Sequence, residues 1–172
     1  ESTELVQQLY PSVTVVRQEN SGPAAARNLG AAAATGDYLL FVDSDDMPSE
    51  DWIATFAELV TTPNVGVAGC GARFIDGNTR ETVEVIPSSK PNQVVLRVSG
   101  VTAVRRDLFE QIDGYDVALK FGENSDMISR ALEQCRSSGA QVITRDVISI
   151  DLVFGNKAAS YDQKRLDAVL HL

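Results

Sequence analysis

The chain has little that would tie it to a membrane, to nucleic acid or to an oxidising compartment. Of its 172 residues two are cysteine, one is histidine and one is tryptophan. Cys70 and Cys135 stand far apart, with no Cys or His beside either. That excludes a zinc-type spacing and a disulfide framework, and it reads as two reduced, semi-buried thiols in a cytoplasmic protein. No apolar run approaches the ~20 residues that a membrane-spanning helix needs, so peripheral contact is the one membrane role left open. No basic-then-apolar leader opens the chain. Positive charge is short: 15 Lys and Arg stand against 24 Asp and Glu, for a net charge of −9. The basic residues are scattered, Arg105-Arg106 being the tight pair, so nucleic acid is excluded as a partner. A small polyanion is compatible with such a chain where a metal reverses the local sign of charge. No repeat or linker divides residues 1–172, which read as one domain.

The apolar patterning is that of an α/β protein. Leu5–Leu9 reads as the end of a helix closed by Pro11, and β-branched Val13–Arg17 as a short strand. Asn20 or Ser21 can cap a helix with Pro23 in its first turn, running to about Thr35. Tyr38–Val42 is a continuous apolar run, expected as a central strand buried on both faces. Ser49–Thr61 reads as a helix capped by Ser49, with Trp52, Ile53, Phe56, Leu59 and Val60 on its apolar face. Val65–Ala72 and Thr82–Ile86 form a hairpin around Asp76-Gly77-Asn78. Strands are expected at Gln93–Val98, Val101–Arg105 and Gln141–Val153, and helices after Asp107, over Gly122–Ser138 and over Ala158–Leu172. This alternation predicts a mixed sheet flanked by helices.

The chemistry gathers at Asp43-Ser44-Asp45-Asp46, directly after the apolar strand. Three carboxylates there repel one another unless a cation or hydrogen-bond donors offset them. Asp43 and Asp45, one residue apart, can turn their oxygens to one point, the donor set that Mg²⁺ or Mn²⁺ prefers beside a phosphate. Ligands also collect beyond the carboxyl ends of strands in open α/β sheets. Upstream, Gly22 opens a helix that carries Arg27 and Asn28, and Ala24, Ala25, Ala26 and Gly30 keep it slim. A helix N-terminus and an arginine fork both suit phosphate oxygens.

Residues 20–46, NSGPAAARNLGAAAATGDYLLFVDSDD, resemble the segment shared by family 2 glycosyltransferases. The resemblance implies a GT-A, Rossmann-related fold and transfer of a sugar from a nucleotide-diphosphate donor to an acceptor hydroxyl, with inversion. Asp43 and Asp45 would then hold the metal, and Gly22, Arg27, Asn28 and Ser44 would complete the donor side. Residues 99–132 are similar to the acceptor-side half, where Gly100, Arg105 and Arg106 precede a Gly-Tyr-Asp turn and a Gly-Glu-Asp motif. The acceptor would be a saccharide, a lipid-linked group or a small molecule.

Two departures qualify what is carried over. The family's base is the Asp of Glu-Asp, and here the pair is Glu123-Asn124. An amide cannot take a proton in that way, which leaves Glu123 or Asp126 as the base. The family also opens with a strand–helix–strand ending near Asp-Asp-Gly-Ser-Thr, whereas this sequence opens at Glu1-Ser2-Thr3. The nucleoside-gripping start is therefore expected to be missing, leaving strand edges open to self-association. The alternative is a glycosyltransferase-like domain that binds or assembles without transferring. A phosphatase of the haloacid-dehalogenase kind fits poorly, because Asp46-Met47-Pro48 follows where Thr or Val is wanted. His171, in the last expected helix, reads as a surface residue.

Overall fold

The computed structural model describes residues 2–89 and 97–154. Gln93 to Leu96, the expected last helix and His171 lie outside the described residues. Five α-helices and a 3-10 turn (Pro87–Ser89) accompany a six-stranded mixed sheet among the described residues: α1 (Ser2–Leu9), α2 (Gly22–Ala33), α3 (Trp52–Leu59), α4 (Arg106–Gln111) and α5 (Glu123–Ser138). The strands are β1 (Tyr38–Leu40), β2 (Met47–Pro48), β3 (Val65–Asp76), β4 (Thr82–Val85), β5 (Thr102–Arg105) and β6 (Gln141–Phe154). Their order is β1-β5-β3-β6-β2, with β4 paired to β3.

The spine is the parallel pair β3–β6, registered from Val65 opposite Gln141 to Asp76 opposite Phe154. Two irregularities break its side-chain alternation, at Val65–Val67 and around Gly69–Ala72. A bulge moves the following residues to the other face of a sheet. Accordingly Val65, Ala68 and Cys70 join the core under α3, with Phe56 and Leu59, while Val67, Ala72 and Phe74 join the larger core under α2, α4 and α5. Gly71 sits at the second irregularity because a Cβ there would lie 2.7 Å from the Val85 carbonyl. On α5, Met127, Ile128, Ala131, Leu132 and Cys135 are buried at helical spacing, as the sequence implies. Gly139 closes that helix at φ 73°.

Four expectations need correction. Tyr38–Val42 is not a central strand: β1 spans three residues, ends the sheet order and pairs antiparallel with β5. Both its faces are nonetheless covered, Leu39 by one core and Tyr38 with Leu40 by the other. An apolar run reports covered faces and says nothing of how many ladders flank it. Val13–Arg17 forms no strand, and Val13 and Val16 are exposed; β-branched residues favour a strand only where a neighbour packs against them. Residues 97 and 98, the described end of the expected Gln93–Val98 strand, are also outside any ladder. In α3, Asp51 rather than Ser49 is the N-cap residue and Ile53 points to solvent.

Candidate active site

Asn20 begins the site by bending the chain into α2. Its Oδ1 accepts from the Gly22 amide at 3.2 Å, and Pro23 fills the first turn, where a missing N–H costs nothing. Ala24 and Ala31 are buried against the sheet, so the helix lies close and sends Arg27 toward the end of β1. Gly30 faces open space and is not needed for that approach.

Arg27 is the centre of the arrangement. Its guanidinium donates to Asp43 Oδ1 at 2.6 Å and to Glu123 Oε1 at 2.9 Å. The two side chains bearing Arg27 and Glu123 are each 12% exposed and Asp43 29%. Burial works against the Arg27 charge, but the bonds from Asp43 and Glu123 outweigh it and raise its pKa above the usual value. The same guanidinium stands 5.4 Å from the centre of the Tyr115 ring, a cation–π distance. Residues 96 positions apart in sequence are thereby joined, α2 to the first turn of α5.

Tyr115 is a site residue that sequence reasoning left inside a quoted motif. Asn28 holds its backbone on both sides, donating to the Tyr115 carbonyl and accepting from its amide, each at 2.8 Å. Its ring packs edge-on to Phe41 at 5.1 Å. Its hydroxyl donates to Asn124 Oδ1 at 3.1 Å. Burial pushes the phenol well above its ordinary pKa, with the Arg27 charge pulling the other way. It therefore stays protonated and stays a donor.

The other expected residues divide. Asp43, Glu123 and Arg27 converge, and Asn124 lies beside them through Tyr115. Ser44 and Asp45 are exposed in the turn closed by the Asp46 amide and the Asp43 carbonyl at 3.1 Å. Asp126 turns away from Glu123 to Arg130, at 2.5 and 2.8 Å, and Arg130 also donates to the Gly114 and Ile112 carbonyls. Gly100, at φ +79°, donates its amide to the Phe41 carbonyl and accepts from the Trp52 indole at 2.7 Å. It thus buttresses the segment that leads from β1 to Asp43. Arg105 and Arg106 lie at the opposite end of that strand, since Tyr38 pairs with Arg105. Arg105 bonds Asp107 and Asn64, and Arg106 bonds the Gly36 and Ala31 carbonyls. Arg97, which the sequence reading passed over, donates to the Ser125 carbonyl and the Ser129 hydroxyl on α5. Its neighbours in sequence carry no motif that would have singled it out.

Among the described residues no group of three or more Asp, Glu, His or Cys side chains converges as a metal centre. Asp43 and Asp45 alone fit the smaller share of ligands that Mg²⁺ takes from a protein when phosphates and water supply the rest.

An open mixed sheet with a carboxylate turn at the end of an apolar strand, clamped from the preceding helix, defines the class of GT-A glycosyltransferases, and solved structures of that class superpose on the chain. They include S. aureus TarS in complex with UDP-GlcNAc, at a TM-score of 0.68 and 19% identity over 92% of this chain and 48% of that one. The mannosyltransferase PcManGT from Pyrobaculum calidifontis, in complex with GDP-Man and Mn²⁺, gives 0.66 and 21% over 97% of this chain and 47% of that one. The model of glycosyl transferase family 2 matches residues 1–115, and the chain belongs to that family. Among curated relatives, an uncharacterized glycosyltransferase of Haemophilus influenzae is 31% identical over 76% of this chain and 48% of its own length. YibD, an uncharacterized glycosyltransferase of Escherichia coli, is 36% identical over 54% of this chain and 25% of its own. The chain thus spans half or less of the length of these relatives.

Proposed function

We propose that the chain carries the diphosphate and acceptor-side part of a family 2 glycosyltransferase, moving a sugar from a nucleotide-diphosphate donor to an acceptor by a single, inverting displacement. The observation that carries this reading is the Arg27 fork, which brings Asp43 and Glu123 to one point from elements far apart in sequence. A guanidinium held between two carboxylates is poised to exchange one of them for a phosphate oxygen, a bidentate partner it favours. Asp43 and Asp45 would hold Mg²⁺ or Mn²⁺, which offsets charge on the leaving diphosphate when bound. Donors of the kind seen with TarS and PcManGT, a UDP- or GDP-linked sugar, are the probes of choice.

On the acceptor side Asp126 is committed to Arg130 and Glu123 to Arg27. Glu123 acts as the brace that fixes Arg27 on Asp43, and Tyr115 as the hinge pin between α2 and α5. A second reading, a module that binds the donor without transferring, is favoured by Asn124 at the family's base position. The outer edge of β1, unpaired among the described strands, supports self-association. No helix among the described residues is long and apolar enough to cross a membrane.

Calorimetric titration of the chain with UDP and with GDP, each with Mn²⁺, tests the donor site. Binding by one of them, weakened at least about 10-fold by Asp45→Ala, is the expected result. A folded chain that binds neither ends this reading.

A further inference from the structure

Arg27 already stands on Asp43 as a cation. Its Nη2 lies 2.6 Å from Asp43 Oδ1, with the arginine mostly buried and the aspartate partly so. A carboxylate in contact with a guanidinium has most of its charge matched. It has a second oxygen, which a divalent cation can reach. The two cations would then face each other across one carboxylate, in a partly buried place where water screens them poorly. Asp45, by contrast, is exposed and keeps its charge in water. Of the two carboxylates that suit a metal, one is therefore held by the protein's own cation.

Arg27 can release Asp43 without being stranded. An arginine cannot shed its proton, so a buried one leaves a carboxylate only if another anion remains beside it. Glu123 is that anion: its Oε1 accepts from Nη1, the other arm of the fork, at 2.9 Å. The Tyr115 ring, 5.4 Å from the guanidinium, gives a second contact on the same side. Glu123 stands on α5 and Tyr115 ahead of it, so neither belongs to the turn that carries Asp43. With Glu123 keeping Nη1, Nη2 has a proton to offer elsewhere.

We infer that Arg27 is a built-in competitor for the metal at Asp43: it holds the carboxylate while the site is idle, and yields it onto the support of Glu123 when Asp43 becomes a ligand. The inference rests on the donor reading above and adds a coupling to it. Metal alone has to overcome the Arg27–Asp43 pair. With a diphosphate present the N–H that leaves Asp43 finds a phosphate oxygen, and the cost is offset. Arg27 thereby makes metal and diphosphate each raise the other's affinity, and by the same factor.

The test is Mn²⁺ binding to the full chain without nucleotide, read from the loss of the free-ion EPR signal. The double variant Arg27→Met, Glu123→Gln removes a positive and a negative charge together, so the net charge of the site is unchanged. It frees Asp43 of its competitor and leaves no second carboxylate from which a new site might form. It is expected to bind Mn²⁺ about 10-fold more tightly than the parent, the worth of one charge-assisted hydrogen bond. UDP or GDP, whichever binds, should tighten Mn²⁺ by a larger factor in the parent than in the double variant. Glu123→Gln alone leaves Arg27 with Asp43 as its one carboxylate and should weaken Mn²⁺ binding; it decides the matter if the double variant does not fold. A folded double variant that binds Mn²⁺ no more tightly than the parent overturns the inference, and so does a Glu123→Gln variant that binds it as well as the parent or better. Either result leaves the donor reading standing where the parent takes a nucleotide with Mn²⁺. A double variant that gains Mn²⁺ affinity in a chain that takes neither nucleotide upholds the competition at Asp43 and ends the donor reading.

Discussion

Replacing Gly100 with alanine isolates the part of the site that is architecture from the part that is chemistry. The residue has φ +79°, where an L side chain costs about 1–2 kcal/mol. Its new Cβ would fall 2.1 Å from Ile150 Cδ1, so Ile150 must turn in a filled core. Overpacking of that kind costs typically about 1–3 kcal/mol. The two terms together give a loss of roughly 2–5 kcal/mol, a large share of the about 5–15 kcal/mol that holds a domain. Urea unfolding followed by the fluorescence of Trp52, the only tryptophan, reads the change at the site itself, because its indole bonds the Gly100 carbonyl. With a slope of about 2 kcal/mol per molar urea the midpoint should fall by roughly 1–2.5 M. Ile150→Val removes the clashing Cδ1 and by itself costs about 0.5–1.5 kcal/mol. In that background Gly100→Ala should lose about 1–3 kcal/mol less than in the parent, leaving mainly the backbone term. If the alanine costs the same in both backgrounds, the Ile150 contact is not the cause. If it leaves stability within about 0.5 kcal/mol but abolishes transfer, Gly100 touches substrate and the structural account is wrong.

Three further outcomes are expected. Arg27→Met leaves Asp43 and Glu123 facing each other without a cation; thermal unfolding should show a loss of about 1–3 kcal/mol, below the range for a fully buried pair because Asp43 is partly exposed. Nucleoside diphosphate affinity should fall in the same variant, and a fully stable Arg27→Met protein would deny the fork its role. Asn28→Ala deprives the Tyr115 backbone of two hydrogen bonds at once, so about 1–3 kcal/mol should be lost in a urea titration, with little change if water takes their place. Burial pushes the Cys70 thiol from its ordinary value of 9.0 to about 11. The folded chain then keeps a proton that the unfolded chain gives up, so stability declines between about pH 9 and pH 11, and Cys70→Ala flattens that decline in a pH series of melting curves.

How far the sequence foretold this structure depends on whether a feature is local. The turn at Asn20, the helix carrying Arg27, the hairpin at Asp76 and the buried stripe of α5 follow from caps, breakers and spacing, and each is where the pattern puts it. The position of β1 in the sheet depends on partners far along the chain, and apolar content alone misplaced it as central. Asp126 illustrates the same limit at the site. Helical spacing put it on the face of Glu123, yet it pairs with Arg130, one turn on, whose guanidinium also donates to the Ile112 and Gly114 carbonyls. Arg97 and Tyr115 gain their importance only from what the fold lays beside them. The family resemblance singled out Arg27 and Asp43, which the fold does bring together, and it could not say that the amide of Asn124 is oriented by a phenol nine residues earlier.

The parallel ladder between β3 and β6 also sets the order in which the molecule is completed. Val65 pairs with Gln141, so the sheet's longest ladder closes a loop of more than 70 residues. Closing it costs roughly 4 kcal/mol in chain entropy before its contacts return anything. During synthesis α2 and the Asp43 turn emerge early, but the strand they lean on through β5 has no parallel neighbour until residues 141–154 are made. The site is thus a late product of folding although Arg27 and Asp43 are made well before its other half, Tyr115 to Asn124. Slow, non-local closure of this type leaves strand edges open to wrong partners in the interval. Substitutions in β6, remote from Asp43, will therefore lower the yield of competent molecules while leaving the chemistry of each one intact.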